Sequence, residues 1–290
     1  MGLSNGDISR WATICQPTPT NCLAGFKLDK LRNKLTPMVT EFEIKRMLSL
    51  SAEREFSAAL AVAQELRDRV ENDVQRMIIL YAIITCSTWL GRPEQTGDAV
   101  QDLDPLVGPE VSCVFAAMIQ AAVDVEAGRA NEALELIDRN LETSFMHTED
   151  YKDWLYEQLV LKANALTRLA RCAEALGVLD EATAVLPKGK CEADILVNRA
   201  NCLMALNDYE NAFNAAEAAT TKGDVELAAS GSLQMAECRM WQGRVPEALA
   251  LYLQLEKQLP RKYVDANRVQ TGITRATAFL EKRSPQIKPF

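Results

Sequence analysis

One short segment recurs along this 290-residue chain, and it leaves few folds open. Gly128-Arg129-Ala130-Asn131-Glu132-Ala133-Leu134 matches Gly243-Arg244-Val245-Pro246-Glu247-Ala248-Leu249. Variants of it begin at Arg54, Gly91, Ala170 and Asn207. The central small residue of each copy (Ala59, Thr96, Ala133, Ala175, Ala212, Ala248) returns at steps of 37, 37, 42, 37 and 36 residues. Between copies the apolar residues keep a helical period, and no alternating run with hairpin turns predicts a strand. Gly or Asn tolerates the left-handed backbone that stops a helix. Glu in the next first turn faces the positive end of a new helix dipole. Twelve residues upstream of four central alanines stand Ala121, Ala163, Ala200 and Ala236. Each copy therefore predicts two helices that approach closely at a pair of small side chains. Such a hairpin cannot bury its apolar face alone, so the copies must stack.

These units resemble tetratricopeptide repeats (TPRs), whose period is about 34 residues. Gly243, Ala248, Tyr252 and Pro260 stand where that family has its glycine, alanine, aromatic and proline. Arg239 stands where the family has an aromatic, and no unit has the Trp-Leu-Gly opening. The resemblance implies an all-α, right-handed α-α superhelix of five to six TPR-like hairpins with a C-terminal capping helix. The repeat region is expected over residues 38–282. Residues 1–37, punctuated by Pro17, Pro19 and Pro37, are expected to form an extended arm with one short helix from Phe26 to Leu35. Residues 283–290 are expected to form a tail.

Composition narrows the partners. Apolar residues make up 48 % and charged residues 25 %, as in ordinary globular chains. The formal net charge of -8 argues against nucleic acid, which needs a basic surface. The longest apolar run, Met77 to Leu90, falls short of the roughly 20 residues that span a bilayer. Eight cysteines without a C-x-x-C pair fit buried, reduced side chains in a cytoplasmic protein. The five basic and two acidic residues before Pro37 leave an organellar interior, such as a mitochondrion, as the alternative.

Catalytic chemistry finds little to use. His147 is the one histidine, in a stretch read as a loop, with no nucleophile motif around it. The cysteine spacings do not suit a structural zinc site. Lys188-Gly189-Lys190 lacks the glycine and hydroxyl of a phosphate-binding loop and reads as an inter-repeat turn. No enzyme activity, cofactor, metal or small-molecule substrate is expected.

What remains are surfaces. In the TPR arrangement the first helix of each unit lines a concave face. The register puts Tyr81, Trp89, Asn164, Arg168, Asn198, Asn201, Glu237 and Trp241 there as candidate partner-binding residues. Asn164 and Asn201 share one register position. They either bind the backbone of an extended peptide or satisfy neighbouring helix ends and water. The two-carboxylate clamp of chaperone adaptors does not carry over, because Val160 and Val197 replace its lysines. The run Arg199 to Tyr209, followed by the Gly243 unit, also resembles the TPR subunit of the TRAPP vesicle-tethering complex. That likeness implies a scaffold joining other subunits of a multiprotein complex in membrane traffic. The alternatives are a stand-alone receptor for an extended peptide and a structural subunit of an organellar assembly.

Overall fold

The computed structural model describes residues 39–187, 192–223, 225–258 and 266–283. The expected arm, residues 284–290 of the expected tail, Cys15, Cys22, Cys191, Pro260 and the Lys188-Gly189-Lys190 turn lie outside the described residues, and Arg283, expected to open the tail, ends the last described helix. Among those described there are thirteen α-helices, two short 3-10 helices and no strand. No described helix is long and apolar enough to cross a membrane. The fold is all-α and built from TPR-like hairpins. The chain divides into two compact units, Met1–Arg168 and Leu169–Phe290, and the division falls inside the 42-residue repeat.

The first unit holds α1 (Glu41–Ala52), α2 (Phe56–Arg67), α3 (Asp73–Trp89), α4 (Pro93–Val107), α5 (Pro109–Glu126), α6 (Ala130–Leu141) and α7 (Lys152–Arg168). The second holds α8 (Cys172–Ala184), α9 (Ala193–Ala205), α10 (Tyr209–Lys222), α11 (Val225–Trp241), α12 (Val245–Gln258) and α13 (Ala266–Arg283).

The recurring segment is the turn of each hairpin. Arg54, Gly91, Gly128, Ala170, Asn207 and Gly243 have φ of 58, 64, 79, 59, 62 and 74°. Gly128 N–H donates to the Val125 carbonyl at 3.1 Å, and Arg129 N–H to the Asp124 carbonyl at 2.8 Å. The same pair of bonds closes the helices at Arg54, Gly91, Asn207 and Gly243. It satisfies carbonyls that a helix end leaves without partners. Three of the six positions are not glycine: Asn207 tolerates the left-handed backbone, while it costs Arg54 and Ala170 about 1–2 kcal/mol each.

The eight paired alanines are all fully buried. Around them the two units use different materials. In the first unit α3 is buried at thirteen of its 17 positions, so the apolar run Met77 to Leu90 is a central core helix. Tyr81, Phe115 and Trp154 make a chain of ring contacts beside it, with centroids 4.2 and 5.8 Å apart. In the second unit α10 and α11 cross on alanine and glycine. A side chain added at Gly231 would come within 2.7 Å of the Ala216 carbonyl oxygen. Arg239, which stands where TPRs have an aromatic, packs its guanidinium 3.6 Å from the centre of the Phe213 ring, so a cation over a ring fills the place of a second ring.

Candidate protein-binding groove

Three helices of the second unit frame an open groove of about 660 Å³. Tyr252 of α12 forms its floor. Its ring is buried against α13 at Gly272, where an added Cβ would lie 2.4 Å from the ring carbon Cζ. A side chain at 272 would push α13 away, so the glycine sets the closeness of that packing. Burial pushes the Tyr252 hydroxyl up to about 12, so it is a neutral donor at any physiological pH. Glu237 of α11 accepts from Arg268 of α13 with both carboxylate oxygens, at 2.9 and 3.0 Å. Arg275 lines the same groove and has no ion-pair partner among the described residues. Trp241 stands at the rim and is 63 % exposed.

Trp241 belongs to a pattern that occurs twice. Trp89 and Trp241 each stand two residues before a left-handed glycine, Gly91 or Gly243. Each stacks on an aromatic that stands two residues after the left-handed residue of the preceding hairpin. Trp89 lies on Phe56 with centroids 5.3 Å apart and planes 10° apart. Trp241 lies on Tyr209 at 6.5 Å and 8°. The two copies differ in their cover. The Arg54 guanidinium sits 5.4 Å from the Trp89 ring centre, and Trp89 is half-buried. In the second copy Asn207 takes the place of Arg54, and its Oδ1 accepts instead from the Tyr209 hydroxyl at 2.6 Å. Trp241 is left open.

The other expected surface residues fare differently. Tyr81 is not on a face at all. It is 1 % exposed and lies edge-on to Phe115, because α3 is enclosed by its neighbours and its register position points at α5 rather than outward. Asn164 is half-buried on α7, and Arg168 is exposed and 3.9 Å from Glu126. Asn164 and Asn201 lie in different compact units. Asn198 donates to the Asp194 carbonyl of its own helix at 2.9 Å. Asn201 Oδ1 accepts from Gln234 Nε2 at 2.9 Å, and the same nitrogen reaches the Val197 carbonyl at 2.9 Å. Gln234 is 4 % exposed, so this is a buried brace between α9 and α11 that occupies the Asn201 carbonyl.

Sequence reasoning missed Arg268, Arg275, Phe56 and Tyr209. Signals for them exist: Arg268, Arg275 and Lys282 step by seven residues, and the two ring pairs are 33 and 32 residues apart. His147 ends a 3-10 turn, and its Nε2–H donates to the Leu141 carbonyl at 2.7 Å, a structural bond. Cys86, Cys172, Cys202 and Cys238 are buried and free, and Cys113 is exposed.

No family model matches the chain, and comparison with curated proteins finds no match. Solved structures do match. TTC0263, a TPR protein of Thermus thermophilus, is 18 % identical with a TM-score of 0.52 over 70 % of this chain and 99 % of its own. Rap protein in complex with Competence and Sporulation Factor is 14 % identical with a TM-score of 0.57 over 83 % and 72 %. NprR in complex with its cognate peptide NprX is 13 % identical with a TM-score of 0.52 over 98 % and 86 %. At these identities the likeness is one of fold alone: the chain has the stacked helical-hairpin fold that these structures share.

Proposed function

We propose that the chain is a non-enzymatic scaffold that holds an extended segment of a partner protein in the groove framed by α11, α12 and α13. The observation that carries this is the open groove with Trp241 at its rim, in a chain that buries or half-buries most of its other described rings. A large exposed ring beside a concavity marks a binding surface far better than scattered apolar side chains do. Solved proteins of this fold include Rap with Competence and Sporulation Factor and NprR with the peptide NprX, which supports a protein or peptide segment as the kind of partner.

The partners are other protein subunits of a larger complex. A cytoplasmic vesicle-tethering assembly is the specific candidate. It rests on the resemblance of the Arg199 to Tyr209 run, and the solved structures add nothing to it. Gentle-salt purification of the tagged chain from its native source, with stoichiometry determined, tests both levels. A stoichiometric set of other subunits is expected, and their identity decides whether the complex is a tether. A clean monomer that binds no peptide or protein would overturn the scaffold.

A further inference from the structure

Among the described residues, the charged groups of this groove do not balance. Glu237 is neutralised by Arg268 through two short bonds. Arg275 then remains as an exposed cation without an acidic partner among the described residues. It is not isolated, because Arg268, Arg275 and Lys282 recur at seven-residue steps and so share one face of α13. This positive stripe lies on a chain whose net charge is -8, so it is a local feature and not part of a general field.

The cover missing from Trp241 supplies the second half. The chain closes the equivalent Trp89 with the Arg54 guanidinium. A partner's cation is a poor substitute on Trp241, because Arg275 lines the same groove without an acidic partner among the described residues. An apolar or aromatic side chain meets no such repulsion and gains from contact with the open indole. From Asn267 to Phe279 the wall of the groove is about 18 Å long at 1.5 Å per helical residue. An extended segment of about five to six residues covers that length.

From these we infer that the groove takes an acidic segment of a partner protein, in which an Asp or Glu pairs with Arg275 and a nearby large apolar or aromatic side chain covers Trp241. This rests on the scaffold reading above and names the chemistry of the partner. A fork of guanidinium donors to a carboxylate sets the register, and the ring contact supplies most of the affinity.

The test pans a phage-displayed library of random decapeptides on the full chain, then measures the enriched peptides by fluorescence anisotropy. Enriched sequences are expected to combine Asp or Glu with Phe, Trp, Tyr or Leu. Binding should weaken at least tenfold with Arg275→Glu and with Trp241→Ala, and should weaken with added salt. Arg275→Glu should regain affinity for the same peptide with its acid changed to Lys. Lys45→Ala, in the first unit, should bind like the parent. Both groove residues are exposed, so helicity by circular dichroism should be unchanged in every variant. Enriched peptides that are basic or uncharged, or that bind Arg275→Glu as well as the parent, would overturn the acidic-segment inference and leave the scaffold standing. A library that yields no binder would remove both.

Discussion

The helix stop at Ala170 offers a test whose sign alone is decisive. Ala170 has φ of 59° and Gly243, two repeats on, has φ of 74°. Both lie in the second unit, Ala170 is exposed, and a Cβ at Gly243 would meet nothing within 4 Å. Exchanging Ala and Gly at either position therefore changes backbone preference with little change in packing. The left-handed conformation costs an Ala about 1–2 kcal/mol. Glycine gives back about 0.4–1 kcal/mol through its freer unfolded chain. Ala170→Gly should thus stabilise by about 1 kcal/mol, and Gly243→Ala should destabilise by about the same. If either residue were an ordinary helical position the signs would reverse, since Gly in a helix interior costs about 1 kcal/mol against Ala. Urea unfolding followed at 222 nm reads the shift of midpoint, with the slope unchanged, and about 4 °C of melting temperature should accompany each kcal/mol for a unit of this size. An Ala170→Gly variant less stable than the parent, or a Gly243→Ala variant more stable, would refute the assignment of these residues as left-handed stops.

Three further outcomes are expected. Gly272→Ala should cost about 1–3 kcal/mol in urea unfolding, because its Cβ would overlap the buried Tyr252 ring, and adding Tyr252→Phe should not relieve it because the overlap is with ring carbons. Brief maleimide labelling at pH 8 with site-resolved mass spectrometry should modify Cys113 well before Cys86 and Cys238, whose thiols burial pushes up to about 11 and about 12. The Glu43 carboxyl is held down from 4.5 to about 2, first by the backbone N–H of Thr40, then by its hydroxyl and by Arg69 at 2.9 Å. A depressed carboxylate stabilises the fold fully above 4.5 and loses that contribution as pH falls through 2, so Thr40→Ala should move the Glu43 titration seen by NMR upward and flatten the loss of stability across that range.

The turn positions were legible because each is a local event. Gly or Asn at four of the six stops, and in all six the polar first turn that follows, are written in seven consecutive letters. All six segments read from the sequence carry a left-handed residue at their first position. The helix crossings were nearly as legible, since only small side chains let two helices approach, and every paired alanine is fully buried. The candidate site was legible in part. Glu237 and Trp241 share the groove, but the cations opposite them come from α13, which carries no copy of the repeated segment to mark it.

Where helices stop, how they pair and where the chain must be thin enough to stack follow from local letters. Those properties depend on one residue's backbone or on two small side chains at a known separation. What each ring does depends on packing between hairpins. Tyr81 and Trp241 occupy first helices of the same kind, yet one lies under Phe115 and the other is open. Trp89 and Trp241 share a register position, yet among the described residues an arginine lies over Trp89 and none over Trp241. Whether a side chain at a given register is covered depends on the bulk and charge of the next hairpin in the stack. That neighbour stands about thirty residues away in the chain, beyond the reach of any local pattern.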